Sequence, residues 1–253
     1  MAIDKSWEKI FDICKIWEHD FTKQPYYITA TQIKRACQEF KETGEKEVRI
    51  LCKQDSRENR PKVFAEKGLF ILPVVNKKYA IIKGEGYVDI PEIIKEEKIY
   101  VSQIDFPLDT SLIGNSEMQH LDFAYASSLI RTFMGDDSLV LTIRGRKYTP
   151  KFSFKVGNHN ISVESVQTEV DAGYEGRKSI VLIEAKNVTS KNVVIRQLYY
   201  PFRQWQTHTK KPVTTLFFEK NGKTYLIWQF HFKDISDYNS IELVKSGRYI
   251  IKS

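Results

Sequence analysis

Apolar positions switch between helical and strand spacing along the chain, and the switches outline its elements. Across residues 6–21, Trp7, Ile10, Phe11, Cys14, Ile16 and Trp17 recur at helical spacing. A second helix is predicted from Thr29, where Thr29-Ala-Thr-Gln32 fits a capping box, to near Gly44. Residues 47–53, Glu-Val-Arg-Ile-Leu-Cys-Lys, read as a strand. A short helix over 60–67 opens near Pro61 and stops at Gly68, and residues 69–82 read as a hairpin around Asn76. This order suits a winged-helix-like arrangement, and equally an α/β cap packed on the rest of the chain.

The charge-rich stretch 91–107, with Glu96-Glu97-Lys98, reads as a connector and divides the chain into an N-terminal α/β module, 1–100, and a second domain, 101–253. A helix is predicted over 116–133, opened by the capping box Ser116-Glu-Met-Gln119 and ended at Gly135. Strands follow at 139–143, 151–156, 161–166, 167–174 and 179–186. An amphipathic helix is expected over 190–205, then strands at 213–218 and 225–232. The whole reads as a mixed α/β (α+β) protein.

Composition narrows the class. The 253 residues are 42% hydrophobic and 13% aromatic, enough apolar surface to offset the entropy of ordering a chain, so disorder is excluded. Cys14, Cys37 and Cys52 make an odd count with no C-x-x-C pair, and no signal segment leads the chain. A cytoplasmic protein with reduced thiols and no membrane association is expected. The five histidines lack zinc-ligand spacing. A formal charge of +7 admits a polyanionic partner without requiring one.

The chemistry concentrates between Glu169 and Lys186. An apolar strand, residues 180–183, delivers Glu184 and Lys186 two residues apart, so both project from one face. A hairpin centred near Arg177 sets Asp171 opposite Ile183 or Glu184, with cross-strand Cβ atoms about 5 Å apart. Two carboxylates so close repel unless a cation neutralises them, and Mg²⁺ is the hard divalent ion that oxygen ligands suit. Lys186 could then position a water or offset charge on a scissile phosphate. Phosphodiester hydrolysis is the chemistry implied.

Asp171 followed by Glu184-Ala-Lys186 resembles the PD-(D/E)XK nuclease signature, and the element order over 116–233 is similar to that superfamily's αβββαβ core. Arg60-Pro-Lys-Val-Phe, Phe70-Ile-Leu-Pro, Arg196-Gln-Leu-Tyr-Tyr-Pro and Tyr238-Asn-Ser resemble motifs of a group of type II restriction endonucleases. Val170 stands where the signature has Pro. The resemblance implies metal ligation by Asp171 and Glu184 and water positioning or charge stabilisation by Lys186, with Glu164 or Glu169 supplying or replacing an acidic ligand. It also implies a Mg²⁺-dependent, site-specific deoxyribonuclease, homodimeric on palindromic double-stranded DNA, with a cognate DNA methyltransferase in the same system.

Two other E-x-K matches, Glu39-Phe-Lys41 and Glu96-Glu-Lys98, fall on a helix end and in the connector, where solvated surface is the expectation. No acid lies between Asp137 and Glu164, where Arg144, Arg146, Lys147, Lys151 and Lys155 occur. None lies from Ala185 to Phe218, which holds Lys186, Lys191, Arg196, Arg203, Lys210 and Lys211. Such cations are candidates for phosphate contact, and Gln197 for reaching the site. Tyr199, Tyr200, Phe202 and Trp205 are expected to pack a helix on the sheet, and Gln119, His120 and Asp122 to form a polar helix face. The rival readings are a structure-specific repair or junction nuclease of the same fold and a non-catalytic DNA-binding regulator.

Overall fold

The computed structural model describes residues 2–111 and 113–252. Helix α1 (Ala2–Ile13) buries Trp7, Ile10 and Phe11 completely. The Trp7 indole N–H donates to the Leu51 carbonyl at 3.0 Å, so the ring that anchors α1 also ties down the chain near residue 51. Strand β1 (Tyr26–Thr29) leads into α2 (Ala30–Ala36), and the expected capping box closes its N-terminus: Gln32 N–H donates to Thr29 Oγ1, and Thr29 N–H to Gln32 Oε1.

Residues 47–53 correct the expected strand. The chain turns instead through α3 (Thr43–Lys46) and α4 (Val48–Leu51), with Leu51 N–H donating to the Glu47 carbonyl at 3.0 Å. Leu51 faces the helical cluster of Trp7 and Phe64, no strand among the described residues pairs with this segment, and its backbone groups close their bonds locally. Helix α5 (Lys62–Lys67) ends at Gly68, whose φ of +62° is the left-handed cap that glycine adopts without strain.

Strands β2 (Leu69–Val75) and β3 (Lys78–Lys83) then form the expected hairpin and join β1 in the order β1-β3-β2. Leu69, Ile71 and Ile81 pack among the N-terminal helices, whereas Phe70, Leu72, Val74, Ala80 and Ile82 enter the central core. Covered on both faces, β2 reads as an unbroken apolar run.

The second part is built on a seven-stranded mixed sheet. Its strands are β5 (Lys98–Val101), β6 (Val140–Tyr148), β9 (Gln167–Glu175), β10 (Ile180–Lys186), β12 (Val213–Asn221), β13 (Thr224–Phe232) and β14 (Ile241–Lys252), in the order β5-β14-β13-β12-β10-β9-β6. Between β3 and β5 runs β4 (Tyr87–Asp89), which pairs with β11 (Asn192–Val194). Strands β7 (Phe152–Val156) and β8 (His159–Val163) are a separate hairpin inserted between β6 and β9. The stretch expected as a connector thus contains β5, a strand of the sheet paired in parallel with β14, and the boundary expected at residue 100 falls inside it.

The helix expected over 116–133 is two helices, α6 (Glu117–Ala126) and α7 (Leu129–Met134). Ser127 donates its hydroxyl back to the Phe123 carbonyl at 2.7 Å and Ser128 takes φ +66°, which breaks the run. These helices cover one face of the sheet with Leu121, Ile130 and Phe133 against Val181, Ile183 and Ala185. Helix α8 (Arg196–Gln206) crosses the other face between the parallel strands β10 and β12, packing Leu198, Tyr199, Tyr200 and Phe202 near Ile180 and Leu182. Strand β10 is therefore apolar on both faces until its last turn of the pleat. Among the described residues no helix is long and apolar enough to cross a membrane.

Candidate active site

Strand β10 alternates between its two covers, so Val181, Ile183 and Ala185 face α6 and α7 while Ile180 and Leu182 face α8. Glu184 continues the second series. Its partner strand β9 pairs with it in the register Ile183↔Ala172, which sets Asp171 next to Glu184. The ladder stops there because β9 is irregular: against β6, Gly173 pairs with Ile143 and Val170 with Gly145, three residues against two. Consequently Val170 packs with the α8 layer while Ala172 packs with the α6 layer. Bulges of this kind redirect side chains. Here the Asp171 carboxylate takes up the unmatched backbone, accepting from Ala185 N–H at 2.7 Å.

Glu184 is 8% exposed, and its Oε1 accepts from Lys186 Nζ at 2.5 Å and from Gln197 Nε2 of α8 at 2.7 Å. Burial pushes the Glu184 carboxyl up to about 7, with the Lys186 ammonium pulling it back and the Asp171 charge adding to the rise. Burial also raises Asp171, against the Ala185 N–H and Lys186, with Glu117 and Glu169 adding to the rise. Burial pulls the Lys186 ammonium down, but Glu184, Glu117 and Asp171 outweigh it, and the pKa of Lys186 is raised. Lys186 therefore stays charged at neutral pH, a fixed cation beside two acids that burial discourages from ionising.

Sequence reasoning missed Glu117. It opens α6 directly after the N-cap Ser116, where its position is explained as a helix-terminal acid. Folded, it accepts from Asn187 N–H at 3.3 Å and lies close enough to raise both Asp171 and Lys186. No sequence signal marks it, because the loop after β10 meets α6 only through the tertiary packing of the sheet.

Among the described residues no group of three or more His, Cys, Asp and Glu side chains is placed to hold a metal ion. Two carboxylates nonetheless suit Mg²⁺, which is commonly bound through one or two of them and keeps several waters. The hydrogen bonds to the pair fall on Asp171 Oδ2 and Glu184 Oε1, and the Gln197 Oε1 beside them is buried without a partner. This all-oxygen acceptor set fits a hard cation with its waters.

Two family profiles match the chain. A domain of unknown function, DUF6997, covers residues 82–250, about two thirds of the chain. The chain belongs to the DUF6997 family. A second, DUF6996, also a domain of unknown function, matches residues 4–81. No curated protein and no solved structure matches the chain. The two matches meet inside β3, between Ile81 of the helical cluster and Ile82 of the central core. Asp171, Glu184, Lys186, Gln197 and Glu117 all lie within the DUF6997 part.

The remaining expected residues of this DUF6997 chain divide by their partners. Glu169 lines the same small cleft as Glu184 and Gln197, and pairs with Arg146 at 3.2 Å. Glu164 does not join the cluster. It is exposed, three residues before β9, its N–H donating to the Val74 carbonyl at 3.0 Å, and the strand from Gln167 to Asp171 alone spans about 13 Å.

The basic windows are acid-free only in sequence. Arg144 pairs with Asp122 of α6, Arg196 approaches Asp55 at 3.9 Å, and Lys211 pairs with Glu175 at 2.5 Å. Arg203, also expected at phosphate, has partners within the protein. Its guanidinium donates to the Ser153 and Ile235 carbonyls and the Tyr199 hydroxyl at 3.1, 2.8 and 2.8 Å and lies over the Phe152 ring, so it braces α8. Lys151 and Lys191 are exposed with no acid at ion-pair distance among the described residues, and Lys147 lies over the Trp205 ring. Tyr199, Tyr200 and Phe202 are buried in the core, as packing required. Of the α6 residues, Asp122 faces solvent and holds Arg144, whereas His120 is 6% exposed and bonds Asn115.

Proposed function

We propose that this protein is a Mg²⁺-dependent endonuclease of the PD-(D/E)XK kind that cleaves a specific double-stranded DNA sequence, as type II restriction enzymes do. The observation that carries the reading is the convergence of Asp171, Glu184 and Lys186 at the bulged end of the β9–β10 ladder. The order α6–α7, β6, β9, β10, α8, β12 supports the αβββαβ likeness, with β7–β8 as an insertion. In the N-terminal part the order β1-β3-β2 beside short helices supports a winged-helix-like recognition module.

Asp171 and Glu184 would hold the ion. Bound there, Mg²⁺ would polarise a phosphate oxygen and lower the pKa of a coordinated water. Lys186, held against Glu184, would supply a permanent positive charge to the negative charge that grows on the scissile phosphate. Gln197 fixes the Glu184 carboxylate by its 2.7 Å bond, and so fixes which oxygen faces the substrate. Lys147, Lys151 and Lys191 supply phosphate contacts. A palindromic target implies a homodimer, and protection of the host's own copies of that target implies a cognate DNA methyltransferase.

Digestion of a fully sequenced duplex with Mg²⁺, followed by end sequencing, tests the reading. Discrete fragments with common ends are expected, lost in Asp171→Ala, Glu184→Ala and Lys186→Ala. Cleavage restricted to branched or damaged DNA would make it a structure-specific nuclease. Binding without cleavage in any substrate would leave a DNA-binding regulator.

A further inference from the structure

The short strand β11 is gripped by both halves of the chain. On one edge it pairs antiparallel with β4, in the register Asn192↔Asp89, Val193↔Val88 and Val194↔Tyr87. From the N-terminal part, the Asp55 carbonyl accepts from Val194 N–H at 2.8 Å, and Arg57 N–H donates to Asn192 Oδ1 at 2.7 Å. Asn192 Nδ2 donates in turn to both carboxylate oxygens of Glu58, at 3.0 and 3.1 Å. The Arg57 guanidinium closes the ring by bonding Asp89 and pairing with Glu85 at 3.3 Å.

Asn192 is 5% exposed, so an amide atom of its side chain left without a partner is costly, although Glu58 itself is exposed. Residues 55–58 lie in the part matched by DUF6996 and Asn192 in the part matched by DUF6997, so the asparagine bridges the two. Helix α8 is launched directly after β11. Ile195 N–H donates to the Gly86 carbonyl at 2.9 Å, Arg196 approaches Asp55 at 3.9 Å, and Gln197 donates to Glu184 at 2.7 Å. Only five positions separate Asn192 from Gln197, and they run from a paired strand straight into a helix. A displacement of the 55–58 segment therefore has no slack loop in which to dissipate before it reaches Gln197.

We propose that Asn192 is a positioning residue. Through it, residues 55–58 of the N-terminal part set where α8 begins, and hence how Gln197 holds Glu184 and how well the carboxylate pair cleaves. The catalytic consequence rests on the nuclease reading; the placement of Gln197 does not.

The test uses the ¹⁵N-labelled full chain. Asn192→Ala shifts or broadens the Gln197 side-chain amide signals, while those of Gln32, in the capping box of α2, stay in place. With Mg²⁺ and the cleaved duplex as probe, kcat falls about 10- to 100-fold while the duplex Kd stays within about twofold, the split expected when catalytic geometry is lost and binding is kept. Asn192→Asp, which sets a carboxylate against Glu58, behaves the same way. The double variant Glu58→Gln with Asn192→Asp, which restores a donor and acceptor pair, recovers both the Gln197 signals and kcat.

Unmoved Gln197 signals in both single variants overturn the proposal, as does an unchanged kcat or a loss confined to Kd. A parent protein that leaves all DNA uncut defeats the nuclease reading and the coupling together, while the Gln197 signals still decide the positioning role by themselves.

Discussion

The Asp171 carboxylate accepts a hydrogen bond from the backbone N–H of Ala185 at 2.7 Å, at the point where the β9–β10 backbone ladder ends. One side chain therefore serves both the sheet and the site. The two duties are separable. Asp171→Asn keeps an acceptor for Ala185 and loses the charge, whereas Asp171→Ala leaves a buried N–H unmatched. Urea unfolding should place Asp171→Ala below the parent by about 1–3 kcal/mol and Asp171→Asn nearer to it. Neither variant should cleave DNA. An alanine variant as stable as the parent would show that the bond to Ala185 has no structural duty.

Glu219 supplies a pH dependence. It is 1% exposed at the end of β12, where burial raises its carboxyl against the Ser190 N–H that donates to it at 2.7 Å. A carboxyl raised by folding binds more protons folded than unfolded, so its contribution to stability falls as pH rises from the unfolded value through the folded one. Glu219→Gln keeps the volume and the acceptor and abolishes the ionisation. The urea midpoint of Glu219→Gln should exceed the parent's at pH 8, with the gap closing toward pH 4. A gap independent of pH would contradict the assignment.

Gly86 is required for close approach. A Cβ built there would overlap the buried Phe70 ring, and the Gly86 carbonyl accepts from Ile195 N–H at 2.9 Å. Phe70 cannot withdraw, because it is stacked on Tyr238 inside the central core. Gly86→Ala should destabilise the protein by about 1–3 kcal/mol, the usual cost of overpacking a filled core. Thermal unfolding measures it, and a neutral substitution would show that the core has room.

The basic residues should separate by the bonds they already make. Lys147→Ala, Lys151→Ala and Lys191→Ala should each lower the salt dependence of DNA binding by about one phosphate contact, with folding unaffected. Arg203→Ala should instead lower the unfolding midpoint, since its guanidinium serves two carbonyls and the Tyr199 hydroxyl. A salt titration of duplex binding beside urea unfolding distinguishes the classes. Equal effects of all four on the salt slope would return Arg203 to the DNA-facing set.

What the sequence by itself determined is local or periodic. The N-caps at Thr29 and Ser116 are governed by residues three apart: Thr29 forms the full box, whereas Ser116 accepts from Gln119 N–H and the Gln119 amide turns instead to the Thr110 and Ile113 carbonyls. The β9–β10 turn and the apolar run of β10 were enough to set Asp171 beside Glu184, because antiparallel register follows from the turn. Lys186 followed from the period of two. The errors are equally physical. Residues 47–53 have strand composition, yet among the described residues no strand pairs with them and the backbone bonds close as helix. β5 reads as a charged connector because its partner, β14, lies about 150 residues away, and an exposed edge strand needs no apolar alternation.

Tertiary structure alone decided the rest of the site. Glu117 and Gln197 reach Asp171 and Glu184 from opposite faces of the sheet, and no spacing in the chain encodes which helix residue will face a given strand residue. It also decided which cations remain available, because Asp122, Glu169, Asp55 and Glu175 arrive from other elements to pair with residues that stand in acid-free stretches of sequence. Charge along a chain is a one-dimensional count, whereas an electrostatic field depends on distances that exist only after folding.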